Sequence, residues 1–206
     1  PPKELQAISQ IVEQRGGRLL VDEIYHGLIY DSQAETILAL NDQAFVINSF
    51  SKYFGLTGWR IGWVVAPAVT IPDLDKLAQN LFLAAPTPAQ HAALAAFQPE
   101  TLAILEQRRE AFQQRRDYFL PALRELGFDI PVTPQGAFYL YANCERFTDN
   151  SLVFAEALLE NAGVAVTPGL DFGHNQPEKH LRFAYTTSME RLQEGVRRLH
   201  QFISQT

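Results

Sequence analysis

Asp22, in Val21-Asp22-Glu23-Ile24-Tyr25, stands thirty residues before Lys52, in Ser49-Phe50-Ser51-Lys52, and Arg60 follows eight residues later in Gly58-Trp59-Arg60-Ile61-Gly62. Together these segments supply a carboxylate, a phenol, two hydroxyls, an amine and a guanidinium. An amine captures an aldehyde as a Schiff base and, once a substrate amine displaces it, becomes a nearby base, which is the role read for Lys52. The hydroxyls of Ser49 and Ser51 and the planar fork of Arg60 suit a phosphate. A carboxylate against a pyridine nitrogen raises that nitrogen's proton affinity, which Asp22 would do. Tyr25 offers a hydrogen bond to a ring oxygen, with simple packing as the equal alternative. The cofactor this set points to is pyridoxal 5'-phosphate.

Farther along, His180-Leu181-Arg182-Phe183-Ala184-Tyr185 places one cation among apolar strand neighbours. Such an arginine seeks a planar anion, either a substrate α-carboxylate or an Asp or Glu of the chain, and periodicity alone weighs the two equally. Five histidines are present, none at metal-ligand spacing, and the chain lacks a Walker-type loop.

The elements that must position these groups can be read from hydrophobic patterning. Leu5, Ile8, Ile11 and Val12 predict a helix over residues 3–15, closed by Gly16-Gly17. The short apolar runs 18–22 and 44–48 suit strands covered on both faces of an α/β sheet. The intervening segment is long enough for a crossover, so the two strands run parallel and end on one edge, where open α/β sheets place ligands. A third strand over 60–66 follows a short glycine turn and need not be parallel. From Pro99 a long helical pattern runs to Gly127, with Pro121 expected to kink it. Strands at 136–142, 164–167 and 181–186 and helices at 151–161 and 189–203 follow, the last with Ser188 as N-cap.

The fold class expected is therefore α/β: a partial mixed, mostly parallel sheet with flanking helices over residues 1–110, then a small α+β domain over 111–206. The composition, 47% hydrophobic and 19% charged, is that of a globular chain. A net charge of -6 argues against a nucleic-acid partner, and no apolar run approaches a membrane span. The basic cluster Arg108, Arg109, Arg115 and Arg116 is interspersed with acids and reads as a solvated helix face. A single cysteine, Cys144, fits a reducing compartment and hence the cytoplasm.

With these residues in place, the chain resembles the C-terminal part of fold-type I pyridoxal-phosphate enzymes of the class I/II aminotransferase family across essentially all 206 residues. The resemblance rests on Asp22-Glu23-Ile24-Tyr25, Ser49-Phe50-Ser51-Lys52, Gly58-Trp59-Arg60-Ile61-Gly62, Gly136-Ala137-Phe138-Tyr139, Pro168-Gly169 with Phe172-Gly173, and Leu181-Arg182-Phe183-Ala184. It implies Lys52 as the Schiff-base lysine, Asp22 as partner of the ring nitrogen, and Tyr25 as partner of the ring oxygen. Ser49, Ser51 and Arg60 would hold phosphate, Arg182 the substrate carboxylate, and Phe138 would border the substrate pocket. The activity implied is amino-group transfer between an amino acid and a 2-oxo acid by a homodimer. The same residues would serve a C–S lyase, and some transcription regulators carry a sensor domain of this kind. Family members also have a long N-terminal section that is not in this sequence, so the resemblance implies a fragment of a chain nearly twice as long.

Overall fold

The structure is a computed structural model that describes residues 2–205. The chain divides into two compact units, one ending at Arg109 and the other beginning at Glu110. In the first unit, helix α1 (Pro2–Gln14) leads to strand β1 (Leu20–Asp22), β2 (Phe45–Ser49) and β3 (Gly62–Val65). Helices α2 (Ile71–Leu81) and α3 (Thr87–Ala96) follow, and α4 (Pro99–Glu125) continues past Arg109 into the second unit with Pro121 inside it. Gly16, with φ +67°, ends the first helix in the left-handed conformation that glycine adopts at least cost.

The first unit's sheet has the order β1-β2-β3. Strands β1 and β2 pair in parallel with Asp22 beside Ile47, and β2 and β3 pair antiparallel with Ser49 opposite Gly62. The predicted third strand begins two residues late because Arg60 has φ 54° and ψ 54°, a left-handed backbone that cannot continue a strand. Alternation along the strands puts Asp22, Ile47, Ser49, Gly62 and Val64 on one face and Val21 and Val46 on the other. Over β1 and β2 the second face is packed: Ile37, Ala44 and Val46 are buried with Leu5, Leu19, Val21 and Leu38 around them, while Trp63 and Val65 of β3 stay 38% and 39% exposed. The first face is open, with Leu20, Ile47 and Val64 exposed by 60%, 40% and 47%. Coverage of both faces, expected from the apolar runs, is thus corrected to coverage of one within this chain.

Helix α1 follows the same asymmetry. Leu5, Ser9 and Val12 turn inward, while Ile8 and Ile11, read as part of its apolar face, are exposed.

The second unit is α+β. Strands β4 (Tyr139–Asn143), β5 (Thr167–Pro168) and β6 (His180–Ala184) form an antiparallel sheet in the order β4-β6-β5. The latter half of α4 joins α5 (Ser151–Ala157) and α6 (Met189–Ile203) around one core that includes Phe119, Leu123, Leu140, Leu158, Leu181, Tyr185 and Leu199. Ser188 caps α6 as its sequence position implies, accepting the Arg191 amide at 3.4 Å.

Three boundaries shift for local reasons. Strand β4 starts at Tyr139 because Ala137 has φ +62°. Strand β5 shrinks to two residues; the Val164 amide is already committed to the Leu158 carbonyl in closing the preceding helix. That helix ends in a π-type turn, Leu158–Ala162. The basic cluster is also corrected. Arg116 is only 3% exposed, with its guanidinium bonded to Asp117 and to the Pro134 carbonyl, so it is a satisfied core group rather than a solvated one.

Among the described residues, no helix is long and apolar enough to cross a membrane, and no group of three or more His, Cys, Asp or Glu is placed to hold a metal ion.

Candidate functional site

Parallel pairing brings the end of β1 beside β2, and register sets Asp22 and Ser49 on the same open sheet face. Asp22 is exposed, and its Oδ1 receives the Ile24 amide at 3.0 Å, a short turn that fixes the carboxylate at the strand end. Its neighbour Glu23 points the opposite way and is 4% exposed. Glu23 Oε1 accepts from Thr36 Oγ1 and from the Ile37 amide, each at 2.9 Å, while Oε2 meets His26 Nδ1 at 3.3 Å. One carboxylate of the pair is thus consumed by the fold and the other is presented to solvent.

Beyond β2 the chain folds into a tight loop. Phe50 is buried against α3, and its ring contacts Phe54, Trp63 and Phe97 at 4.7, 5.2 and 5.7 Å between centroids. The Leu56 and Gly55 amides return to the Phe50 and Lys52 carbonyls at 2.9 and 3.1 Å. With its apolar member anchored, the loop presents its polar ones. Ser49 Oγ donates to Ser51 Oγ at 2.8 Å and accepts the Ser51 amide at 2.9 Å. Lys52 Nζ lies 5.9 Å from the centre of the Tyr25 ring, so the turns that follow β1 and β2 bring the amine and the aromatic ring together.

Arg60 is exposed and lies after a 3-10 turn, Thr57–Trp59, with its Nη1 donating to the Thr57 carbonyl at 2.9 Å. Thr57 Oγ1 in turn donates to the Ser51 carbonyl at 2.6 Å, joining the arginine's turn to the serine loop. Thr57 was not singled out in the sequence; a threonine two residues after a glycine carries no signal of its own.

Two hydroxyls, a guanidinium, an amine beside a phenol, and a strand-end carboxylate fit the donor and acceptor needs of a phosphorylated pyridine aldehyde. Gly62 supports the fit: a Cβ there would stand 2.7 Å from the Asn48 carbonyl oxygen, so only glycine lets β3 lie against the serine loop.

The second unit carries Arg182 and Phe138. Arg182, on β6, donates from Nη2 to Thr167 Oγ1 at 3.4 Å, and its guanidinium carbon lies 4.5 Å from the centre of the Phe172 ring and 5.5 Å from that of Tyr139. Its Nε is buried and lacks a hydrogen-bond partner. No Asp or Glu among the described residues pairs with it. Of the two readings for this cation, the intrachain ion pair is therefore not what the fold makes.

Phe172 reaches the guanidinium because the turn Gly169–Phe172 packs very closely. A Cβ on Gly169 would overlap the Pro177 carbonyl oxygen at 2.3 Å. Phe138 is half-buried, its ring 5.9 Å from Phe112 and 6.0 Å from Tyr139, and its carbonyl accepts the Tyr185 amide at 2.9 Å. The aromatic pair flanking Arg182 was missed by sequence reading, since Tyr139 and Phe172 lie far from Arg182 along the chain.

The profile of the aminotransferase class I and II family matches residues 1–199. A valine–pyruvate aminotransferase of Mycobacterium tuberculosis is 37% identical over 201 residues, covering 97% of this chain and 52% of that protein. The aspartate aminotransferase of Geobacillus stearothermophilus is 36% identical over 214 residues, covering 98% of this chain and 53% of that protein. A crystal structure of an aminotransferase from Mycobacterium tuberculosis superimposes with a TM-score of 0.95 at 36% identity, over 100% of this chain and 54% of that one. The chain spans about half the length of the curated relatives it matches. Covered by the family's profile over almost its whole length, the chain belongs to the aminotransferase class I and II family.

Proposed function

We propose that this chain is the part of a pyridoxal-phosphate-dependent aminotransferase that supplies the cofactor's lysine and the substrate's carboxylate anchor. In this reading the parent exchanges an amino group between an amino acid and a 2-oxo acid and works as a cytoplasmic homodimer. Residues 1–110 belong to its large cofactor-binding domain and residues 111–206 form its small domain. The observation that carries the reading is the register placing Asp22 and Ser49 on one sheet face, with the Lys52 amine 5.9 Å from the Tyr25 ring.

When bound, the cofactor supplies an electron sink for charge developing at the substrate α-carbon. The chain's own residues hold and move protons around it. Asp22 keeps a proton on the ring nitrogen by placing negative charge against it. Tyr25 donates to the ring oxygen. Ser49, Ser51 and Arg60 bind the phosphate and fix the ring's position. Arg182, flanked by Tyr139 and Phe172, receives the substrate carboxylate and satisfies its own buried Nε, and Phe138 borders the substrate pocket. Lys52, as a free amine beside the Tyr25 ring, would be the base that takes the proton from the substrate α-carbon and the acid that gives it back.

The test uses the full-length parent loaded with pyridoxal phosphate. Wild type should show a visible absorbance band and turn over an amino donor only in the presence of a 2-oxo acid. Lys52→Ala should lose turnover and also the covalent cofactor label that borohydride reduction fixes on residue 52 of the wild type. Normal transamination by Lys52→Ala, or release of ammonia and a 2-oxo acid from a donor with no acceptor present, overturns the assignment.

A further inference from the structure

Tyr53 follows Lys52 directly and is tied to three segments at once. Its phenol donates to Glu106 Oε1, on α4, at 2.5 Å. Glu106 Oε2 accepts from Arg109 Nε at 2.8 Å, and Arg109 Nη1 donates to the Ile29 carbonyl at 3.3 Å. The other side of the tyrosine rests on bare backbone: a Cβ on Gly27 would stand 2.3 Å from Tyr53 Cγ, inside the ring's own space. Gly27 lies two residues after Tyr25 and Ile29 four after it, so the network closes on the segment that carries the Tyr25 phenol.

Lys52 therefore has a rigidly held neighbour on its C-terminal side and the buried Phe50 two residues before it. A lysine carries four rotatable bonds and is poorly fixed by its own chain. What it can inherit is a fixed backbone. The structure assigns Tyr53, through Glu106 and Arg109, as a positioning residue that sets the separation of the Lys52 amine from the Tyr25 phenol. This rests on the reading of Lys52 as the cofactor's lysine.

The strut is built to persist across neutral pH. Burial, reinforced by the bond to Glu106, pushes the Tyr53 phenol up to about 12, so it stays a donor. The hydrogen bond from Tyr53, then that from Arg109, holds Glu106 below the usual carboxylate range, so it stays an acceptor. Neither group changes charge where an enzyme of this kind works, which marks the network as a brace rather than a switch.

The test compares Tyr53→Phe, Glu106→Ala and the double variant in the full-length parent with pyridoxal phosphate. Tyr53→Phe keeps the ring on Gly27 and removes only the hydroxyl. We expect kcat to fall about tenfold while KM for the amino donor stays within about twofold, the signature of misplaced chemistry rather than weakened binding. Circular dichroism in the cofactor's absorbance band reports how asymmetrically the lysine holds the ring, and should fall by roughly half, a change that general loss of stability would not give. The double variant should be no worse than either single one, because both break the same brace. Unchanged dichroism in Tyr53→Phe, or strictly additive losses, overturns the assignment. Should Tyr53→Phe not fold, Glu106→Ala, at a half-exposed side chain, carries the test by the same readouts. A wild-type parent whose cofactor is not fixed to Lys52 by borohydride reduction sinks the underlying reading instead; labelling at Lys52 beside a normal Tyr53→Phe sinks only the brace.

Discussion

Ser49 and Gly62 face each other across β2 and β3 so closely that a Cβ on Gly62 would stand 3.3 Å from Ser49 Cα and 2.7 Å from the Asn48 carbonyl oxygen. Both of those atoms are backbone, which cannot rotate away. Gly62→Ala should therefore push β3 off the serine loop, at a cost of about 1–3 kcal/mol in stability. Since Ser49 Oγ also holds Ser51 at 2.8 Å, the shift should weaken pyridoxal phosphate binding by the parent as well. Urea unfolding together with cofactor titration would show both losses; an unchanged cofactor affinity would separate Gly62 from the phosphate-binding role proposed for its neighbours.

Arg182 lies between two aromatic rings with its Nε unsatisfied, an arrangement suited to a planar cation awaiting a planar anion. A lysine at this position keeps the charge and loses both the fork and the stacking surface. Arg182→Lys in the parent should lower kcat/KM for an amino acid on the order of a hundredfold, about 2.7 kcal/mol, mostly through KM. An amine lacking a carboxylate should be affected far less. Equal losses for both donors would contradict the carboxylate role.

How much of this was legible in the sequence divides along physical lines. The apolar runs ending in Asp22 and near Ser49 announced two strands, because a short apolar run bounded by polar residues has few other uses in a globular chain. That Asp22 shares a sheet face with Ser49 was not legible: it follows from register, which pairs Asp22 with Ile47, and nothing local sets that pairing. Arg60 was legible as a donor but not as a left-handed residue, since its conformation is imposed by the turn before it. Glu23 was invisible as a structural group for a similar reason. Its partners Thr36 and Ile37 lie 13 and 14 residues away and carry no periodic signal. Tyr53 and Glu106 are farther apart still, 53 residues, and only the packed fold makes them partners.

The buried Glu23 gives a stability prediction that leaves the site's chemistry aside. It is the acceptor for a hydroxyl and a backbone amide in the interior, and an apolar replacement would strand both donors. Glu23→Leu should destabilise by about 2–4 kcal/mol, more than any single contact is worth, because the penalty is the desolvation of the abandoned groups. Equilibrium denaturation of the parent would measure it. A loss below about 0.5 kcal/mol, the range of an ordinary surface substitution, would mean that water or another group replaces the carboxylate.

Cys144 is fully buried, and burial pushes its thiol up to about 11. The thiolate is the reactive form, so both access and protonation protect it. Treatment of the native parent with a thiol reagent at pH 8, followed by peptide mapping, should leave the Cys144 peptide unmodified, and the same treatment in denaturant should modify it completely. Rapid native labelling would show that the strand end opens without global unfolding.

The Tyr53–Glu106 pair predicts how stability depends on pH at both extremes. Glu106 is held below its ordinary value near 4.5, so its contribution is complete above that pH and disappears as pH falls through the lower folded value. Tyr53 is raised from 10.0 to about 12, so its contribution is complete below pH 10 and disappears as pH rises toward 12. The melting-temperature difference between wild type and Tyr53→Phe should thus be level between about pH 5 and 10 and shrink outside that window on both sides. Half-exposure of Glu106 screens the acid limb, which should be the shallower of the two. Tyrosinate absorbance provides the independent check: wild type should hold back the Tyr53 phenol to about pH 12, so the phenylalanine variant should show one fewer late-titrating phenol. A difference that stays constant through pH 12 would mean that the hydroxyl contributes nothing through its bond to Glu106, and the brace would then be packing alone.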